Sequence, residues 1–571
     1  MGAALLSLAL SSAGVTWGLP SRWHPDEKAD VAARMVEGGS LAPDSFVNPS
    51  LPLYVMLAPV RLQERIARAF LLPGHASDPL WLGRSLSAVA GAAAVLVLGL
   101  AAWSAHPRLG ALPAFLLALL PGFVNLCHFA TPEAWLLLGT AATLAVAVAH
   151  AEGRAGAAAL GLVLGLTAST KYTAAALAVP ALAAVWLRDP DHRDRPGALW
   201  LGALGLAALA LGLALVLGGD GALAARLRLD DARLLHPASA LRFTRRMGVA
   251  ALVLGALAVA LAALARARRP WAVRVARRGV AVVVLSAAAG FVAGSPYVLI
   301  DPIPFLSALA FNDQTRFEYK GLTGSGTSFG PYLRLLGDGL TGPVLLAAGV
   351  GLLMAAARAR RDKAAAVLAL AAVAPYVLVA ASAHRALRFL APVFPAAAWL
   401  AALGLSAVPG LRTRRLAAGL VLARAALGAV LVVRLFYVDA RRQATRWIER
   451  HVPAGATVDL ISNLPGYAPT LPPGRTLRVV PTLSREMAPS DRFAEAAARY
   501  PAEASPWLIL TASYYERFLD HPDQRPERAA FFRALLEGRA GFETVARFRQ
   551  QGWKRPPAEF LDPEIVVLKK R

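Results

Sequence analysis

Apolar residues fall along this chain in long blocks separated by short polar punctuation. A helix needs about 20 consecutive apolar residues to cross the hydrocarbon core of a bilayer, with a usual range near 17–25. Thirteen blocks meet or approach that length: 3–19, 83–102, 109–126, 134–151, 155–169, 172–187, 198–217, 247–264, 279–299, 340–357, 364–383, 389–408 and 416–438. The fifth and sixth are short and meet at Lys171. Short or broken helices are tolerated in a membrane only where protein or a wet cavity surrounds them. The pattern predicts a polytopic α-helical membrane protein with about thirteen transmembrane helices. The first block lacks the basic flank of a cleaved signal peptide, so it reads as a retained span. That missing flank also leaves open a true start upstream.

Two loops are long. Residues 20–82 carry stretches at 27–37 and 54–72 that read as amphipathic helices on the membrane surface. Residues 301–339 form a second large loop rich in Gly, Ser, Thr and aromatic residues. Beyond residue 438 the pattern changes. Residues 439–450, 492–499 and 528–537 read as helices, and 457–461, 507–511, 544–548 and 565–568 as strands. The expected organisation is a membrane domain over 1–438 and a small α/β domain over 439–571, with no internal repeat.

Composition agrees with the blocks. The chain has 571 residues, 57% of them hydrophobic and 17% charged, with a mean hydropathy of +0.50; soluble domains carry about 25% charged residues. The net charge of +24 would by itself suggest a nucleic-acid partner, but its location argues otherwise. Eighteen basic residues sit in one alternate set of short connections: Arg108; Arg154; Arg188, Arg193 and Arg195; Arg266, Arg268, Arg269, Arg274, Arg277 and Arg278; Arg358, Arg360, Arg361 and Lys363; Arg412, Arg414 and Arg415. Positive charge marks cytoplasmic loops. The opposite, outer face then receives both long loops and everything after about Tyr437. Cys127 is the sole cysteine, which excludes an internal disulfide and a Cys-rich zinc site.

Charged residues that break the apolar pattern carry the candidate chemistry. His24-Pro25-Asp26-Glu27 opens the first outer loop. Paired carboxylates beside an imidazole suit a general base or a metal, although Asp26 reads equally well as the cap of a helix beginning at Glu27. His128 and Glu133 stand at the same face, where Glu133 also fits the first turn of a helix behind Pro132. Lys171, one of only seven lysines, lies between two apolar segments. A cation there is costly enough to imply a function, and a lipid phosphate is a fitting ligand; snorkelling to the interface is the alternative. Arg84, Arg385 and Arg388 begin spans on that face and would make a cationic collar for a phosphate or pyrophosphate.

These residues stand in stretches that together resemble the family 39 glycosyltransferases. His24-Pro25-Asp26-Glu27 and Phe46-Val47-Asn48-Pro49-Ser50-Leu51-Pro52-Leu53-Tyr54 look like the family's first outer loop, and 161–173 (GLVLGLTASTKYT) like its fifth-helix motif. Ser295-Pro296-Tyr297-Val298-Leu299-Ile300-Asp301 and Arg388-Phe389-Leu390-Ala391-Pro392 resemble two later motifs, and 512–518 (ASYYERF) has the same look. The resemblance implies a GT-C fold, related to protein O-mannosyltransferases and the lipid A aminoarabinose transferase. It implies transfer of a hexose or pentose from a polyprenyl-phosphate-linked donor, usually with inversion, at the outer face of a bacterial inner membrane. The acceptor would be a hydroxyl on a protein, lipid or glycan.

In that reading Asp26 is the leading catalytic base, Glu27 its support or alternative, and Glu133 the second outer-loop acid, which positions the acceptor or a metal. Lys171, with Arg84, Arg385 and Arg388, binds the donor phosphate, while His24, Asn48, His128 and Tyr172 line the substrate cavity. A divalent metal is left open, with Asp26, Glu133 and His128 as candidate ligands. The chain departs from the aminoarabinose branch at Val47-Asn48-Pro49-Ser50, where that branch has Glu-Lys-Pro-Pro. Residues 198–264 read as an extra pair of spans, and no Trp-Trp-Asp motif of an oligosaccharyltransferase is present. A lipid or glycan transporter or flippase is the competing reading of the hydropathy; such proteins commonly carry repeats and mid-span charges.

Overall fold

The computed structural model describes every residue except 71–77, 189–197, 231–236, 268, 270–271, 274–276, 320–321, 324–327, 486–488 and 550–559. Each of the thirteen apolar blocks falls on helical segments. Seven of the described helices are long and apolar enough to cross a membrane, and an eighth crossing arises if the bent pair Phe329–Leu340 and Gly342–Arg358 is one span. Four more, Gly2–Ser12, Ala157–Ala168, Tyr172–Leu187 and Arg278–Gly294, are apolar but shorter. The block at 109–126 divides into Leu112–Leu119 and Pro121–Cys127. Between them Leu120 is extended, with φ −63° and ψ 123°, the conformation that a following proline imposes. The break is buried on both sides, as a broken helix in lipid requires.

Burial orders the helices. The apolar window at Leu387–Ser406 is 89% buried, whereas those at Ala198–Arg228 and Ser239–Arg266 are 17% buried. The extra pair therefore packs chiefly on itself, outside the bundle. Inside it, Ala157–Ala168 lies against Arg278–Gly294 through small residues. A Cβ on Gly290 would stand 2.5 Å from the Leu162 carbonyl, and one on Gly161 or Gly165 would meet the backbone of Val283 or Ala287. The glycines of the 161–173 stretch thus serve close helix approach and fix the height at which Lys171 emerges.

The C-terminal stretch forms a mixed five-stranded sheet: β1 (Thr457–Ile461), β2 (Thr476–Val479), β3 (Trp507–Thr511), β4 (Phe542–Phe548) and β5 (Ile565–Lys570), in the order β2-β1-β3-β5-β4. β1 runs parallel to β2 and β3, while β5 is antiparallel to β3 and β4. Side chains alternate across it. Leu508 and Leu510 pack with Phe493, Tyr514 and Phe532, and Trp507 and Ile509 with Ala440, Ala444 and Ile448 of the helix Ala440–His451. Several elements have no counterpart in the pattern: the helices Pro302–Phe317 and Phe329–Leu340 inside the second large loop, and, in the C-terminal stretch, β2, the short helix Pro481–Ser484 and the helix Ala512–Asp520. β2 is short, an edge strand, and buried on neither face.

A buried ion pair fastens this sheet to the first loop. Arg441 donates from Nε and Nη2 to Asp439 (3.0 and 2.9 Å), and onward to the Trp23, Gly466 and Phe560 carbonyls. Asp439 also accepts from Trp17 Nε1 (3.2 Å) and Asp562 N (3.0 Å), and the Trp17 and Trp23 rings flank the guanidinium at 4.8 Å. Neither charged side chain is exposed, and removing one partner of such a pair costs about 3–5 kcal/mol. Asp439→Asn is therefore expected to lower the thermal midpoint by several degrees and to open the 439–571 stretch to protease. A midpoint within about 2 °C of wild type would contradict this account.

Candidate functional site

The helix Ala29–Glu37 begins after Lys28, which occupies the N-cap position without a side-chain cap bond. Asp26 is therefore not the cap, and the capping alternative falls. Its carboxylate is half exposed and faces Arg388 Nη2 at 3.6 Å. The Asp26 backbone N–H donates to His24 Nδ1 (3.1 Å), which places the ring proton of the neutral imidazole on Nε2. His24 is buried, with the Phe129 and Phe560 rings each at 4.2 Å. Burial pushes its pKa below the ordinary 6.5, against the opposing pull of Glu27 and Asp26.

Glu27 has the opposite fate from its neighbour. Its two oxygens accept from Arg84 Nε and Nη2 (2.7 Å each) and from Ala130 N (2.9 Å). Arg84 completes its own set on the Val15 and Trp17 carbonyls. Both side chains are almost wholly buried. Burial alone would raise the Glu27 carboxyl, but Arg84 beside it holds it below its ordinary value. These bonds fasten the chain beyond the first helix, at Val15, Trp17 and Glu27, to the helix Pro79–Ala105 and leave Arg84 without a free edge for a phosphate. His24 and Glu27 both bind protons less readily in the folded state than unfolded. Their stabilisation is thus present at neutral pH and is lost on acidification, from below about 6.5 for His24 and below about 4.5 for Glu27. Thermal midpoints measured between pH 7 and pH 4 should fall accordingly, and a flat profile would count against both burials.

Glu133 stands in the first turn of Pro132–Ala151, as expected, but Lys171 reaches it: Lys171 Nζ donates to Glu133 Oε1 in a buried ion pair. Lys171 is itself an extended residue, between Ala157–Ala168 and the turn that opens Tyr172–Leu187. Its ammonium lies 5.2 Å from the Phe389 ring centroid, and the Arg388 guanidinium 5.4 Å from the same ring. Phe389 thus gathers both cations. It belongs to the tight turn Leu387–Val393 that precedes the central helix.

The first loop is stitched over these residues. Tyr172 Oη donates to the Phe46 carbonyl (2.7 Å), Leu51 N to the Ser169 carbonyl (3.1 Å), Ser50 N to Ser295 Oγ (2.9 Å) and Asn312 Nδ2 to the Val47 carbonyl (3.1 Å). Half-buried Asn48 lies inside this seam. The stretches at 46–54, 161–173 and 295–301 therefore meet through hydrogen bonds to the backbone of the first loop.

Other expected residues are spent elsewhere. Arg385 is exposed and donates to Ser328 Oγ (2.9 Å), away from Asp26. His128 stacks on Phe436 (4.0 Å), and its two nitrogens face the Val124 and Ala13 carbonyls (2.6 and 3.0 Å). The metal candidates do not converge. Among the described residues no group of three or more His, Cys, Asp or Glu could hold a metal ion; His128 is bound to backbone, Glu133 to Lys171 and Glu27 to Arg84. The cluster that does form is Asp26, Arg388, His24, Lys171 and Glu133. Its aromatic lining, Phe129, Phe389 and Phe560, was missed. Phe129 and Phe389 each adjoin a flagged residue in sequence; Phe560 carries no such signal.

Residues 71–217 match the model of the dolichyl-phosphate-mannose-protein mannosyltransferase family. The chain resembles these mannosyltransferases. The mannosyltransferase-like stretch holds Arg84, His128, Glu133, Lys171 and Tyr172, but neither Asp26 nor Arg388. No curated protein matches the chain. Among solved structures it is similar to the oligosaccharyltransferase AglB from Archaeoglobus fulgidus in complex with an inhibitory peptide and a dolichol-phosphate (14% identity, 90% of this chain and 71% of that one, TM-score 0.46). It is likewise similar to ArnT from Cupriavidus metallidurans bound to undecaprenyl phosphate (15% identity, 99% and 96%, TM-score 0.41).

Proposed function

We propose that this chain is an integral-membrane glycosyltransferase that moves a sugar from a polyprenyl-phosphate-linked donor to an acceptor hydroxyl at the outer face of the membrane, with inversion. The observation that carries the reading is the loose Asp26–Arg388 pair beside the buried Lys171–Glu133 pair. A half-exposed ion pair at 3.6 Å is worth about 0–1 kcal/mol, so substrate can enter it cheaply. The Glu27–Arg84 pair is closed to substrate by the several kcal/mol that breaking a buried pair costs.

In this reading Asp26 takes the proton from the acceptor hydroxyl, whose oxygen attacks the anomeric carbon. The bond from that carbon to the phosphate oxygen breaks, and the phosphate keeps the electron pair. Arg388 and Lys171 stabilise the charge that develops there, and Glu133 holds Lys171 in place. Glu27 and Arg84 fix the loop that presents Asp26. The membrane domain is 1–438 with thirteen crossings; 439–571 forms an α/β domain on the periplasmic side of a bacterial inner membrane, as the basic loops opposite it support.

The test is transfer of labelled sugar from a polyprenyl-phosphate donor by the purified chain. Release of polyprenyl phosphate together with a glycosylated acceptor is expected. An intact donor that merely crosses the bilayer of a reconstituted vesicle would overturn the reading in favour of transport.

A further inference from the structure

One wall of the cluster comes from the far end of the chain. We propose that Phe560 is a positioning residue for the Arg388–Asp26 pair, so that the C-terminal stretch completes the site rather than standing apart from it; the catalytic consequence rests on the transfer reading above. The Arg388 guanidinium lies 5.1 Å from the Phe560 ring centroid and 5.4 Å from that of Phe389. A cation is drawn to the electron-rich face of an aromatic ring, and a planar guanidinium set against two rings keeps few orientations. The one observed brings Nη2 to Asp26. The same Phe560 ring packs on His24 at 4.2 Å, and His24 Nδ1 accepts the Asp26 backbone N–H. Phe560 therefore touches both groups that define where the Asp26 carboxylate sits.

The backbone supports the assignment independently. Phe560 has φ 66° and Asp562 φ 47°, a left-handed conformation that a bulky side chain rarely adopts and that persists only where its surroundings over-determine it. Here they do. Arg441 Nη2 donates to the Phe560 carbonyl (2.8 Å), Asp562 N to Asp439 (3.0 Å) and Ala440 N to Asp562 Oδ1 (2.7 Å). Leu561 is buried with Trp17, Trp23, Phe129 and Phe436. Arg441 also binds the Trp23 carbonyl, next to His24. One guanidinium thus sets the register of Phe560 and of the His24 loop together.

The experiment compares full-length wild type, Phe560→Leu and Phe560→Tyr in nanodiscs. Tyr keeps the ring face and Leu keeps only apolar bulk. With a polyprenyl-phosphate sugar as donor, Phe560→Leu is expected to lose about tenfold in kcat/KM for the donor, and Phe560→Tyr to stay within about twofold. Thermal midpoints should remain close to wild type. Wild-type turnover by Phe560→Leu overturns the proposal, as does an equal loss in both variants accompanied by a lowered midpoint. A wild type that transfers no sugar refutes the transfer reading instead. The positioning inference is then decided by the structure of Phe560→Leu: Arg388 displaced from Asp26 sustains it, and Arg388 unmoved overturns it.

Discussion

Asp26→Asn is expected to reduce sugar transfer by about 10²–10⁴-fold, the contribution of a positioned general base, and to leave the fold intact. The amide keeps the size of the side chain and loses the site that accepts a proton. Little stability is at risk, because the half-exposed contact with Arg388 at 3.6 Å is worth about 0–1 kcal/mol. Glu27→Gln makes the contrast: it leaves Arg84 buried against a neutral partner, so its first effect is a drop in thermal midpoint. Measuring turnover and midpoint for both variants separates an acid that reacts from one that holds the loop. Full turnover by Asp26→Asn would remove Asp26 from the proton step and move attention to Glu133, the remaining acid of the cluster.

The second large effect is expected at Lys171. Lys171→Met strands Glu133 in a buried site, at a cost of about 3–5 kcal/mol, and removes a cation proposed to stabilise the leaving phosphate, worth about 10²–10³-fold in turnover. A single variant cannot separate the two losses. The double change Lys171→Met with Glu133→Gln can, because it removes the stranded charge along with its partner. Stability should recover in the double variant while transfer does not. Recovery of both would reduce Lys171 to a structural counter-ion of Glu133, and an unchanged midpoint in the single variant would show that the pair carries no load.

How much of this was legible along the chain differs from residue to residue. Lys171 stood out because a lone cation among apolar residues is expensive wherever it points, so its composition was enough to flag it. Asp26 and Glu27 are adjacent and chemically alike, and nothing local separates them. Their roles part only because Arg84, 57 residues beyond Glu27, turns Nε and Nη2 toward it. Arg84, Arg385 and Arg388 formed one collar in sequence. In the fold the first is locked to Glu27, the second turns to Ser328, and only the third meets Asp26.

Hydrophobic spacing, by itself, determined where the helical segments of the thirteen apolar blocks lie and where the strands Thr457–Ile461 and Trp507–Thr511 begin and end, because burial periodicity and span length are written locally in the chain. Tertiary structure decided which charges neutralise one another, that His128 is bound to backbone rather than open to a ligand, and that Phe560 lines the site. Those outcomes depend on through-space contacts at a few ångströms between residues far apart in sequence. Hydropathy and composition register how polar a residue is, and they hold no information about the neighbour that will satisfy it.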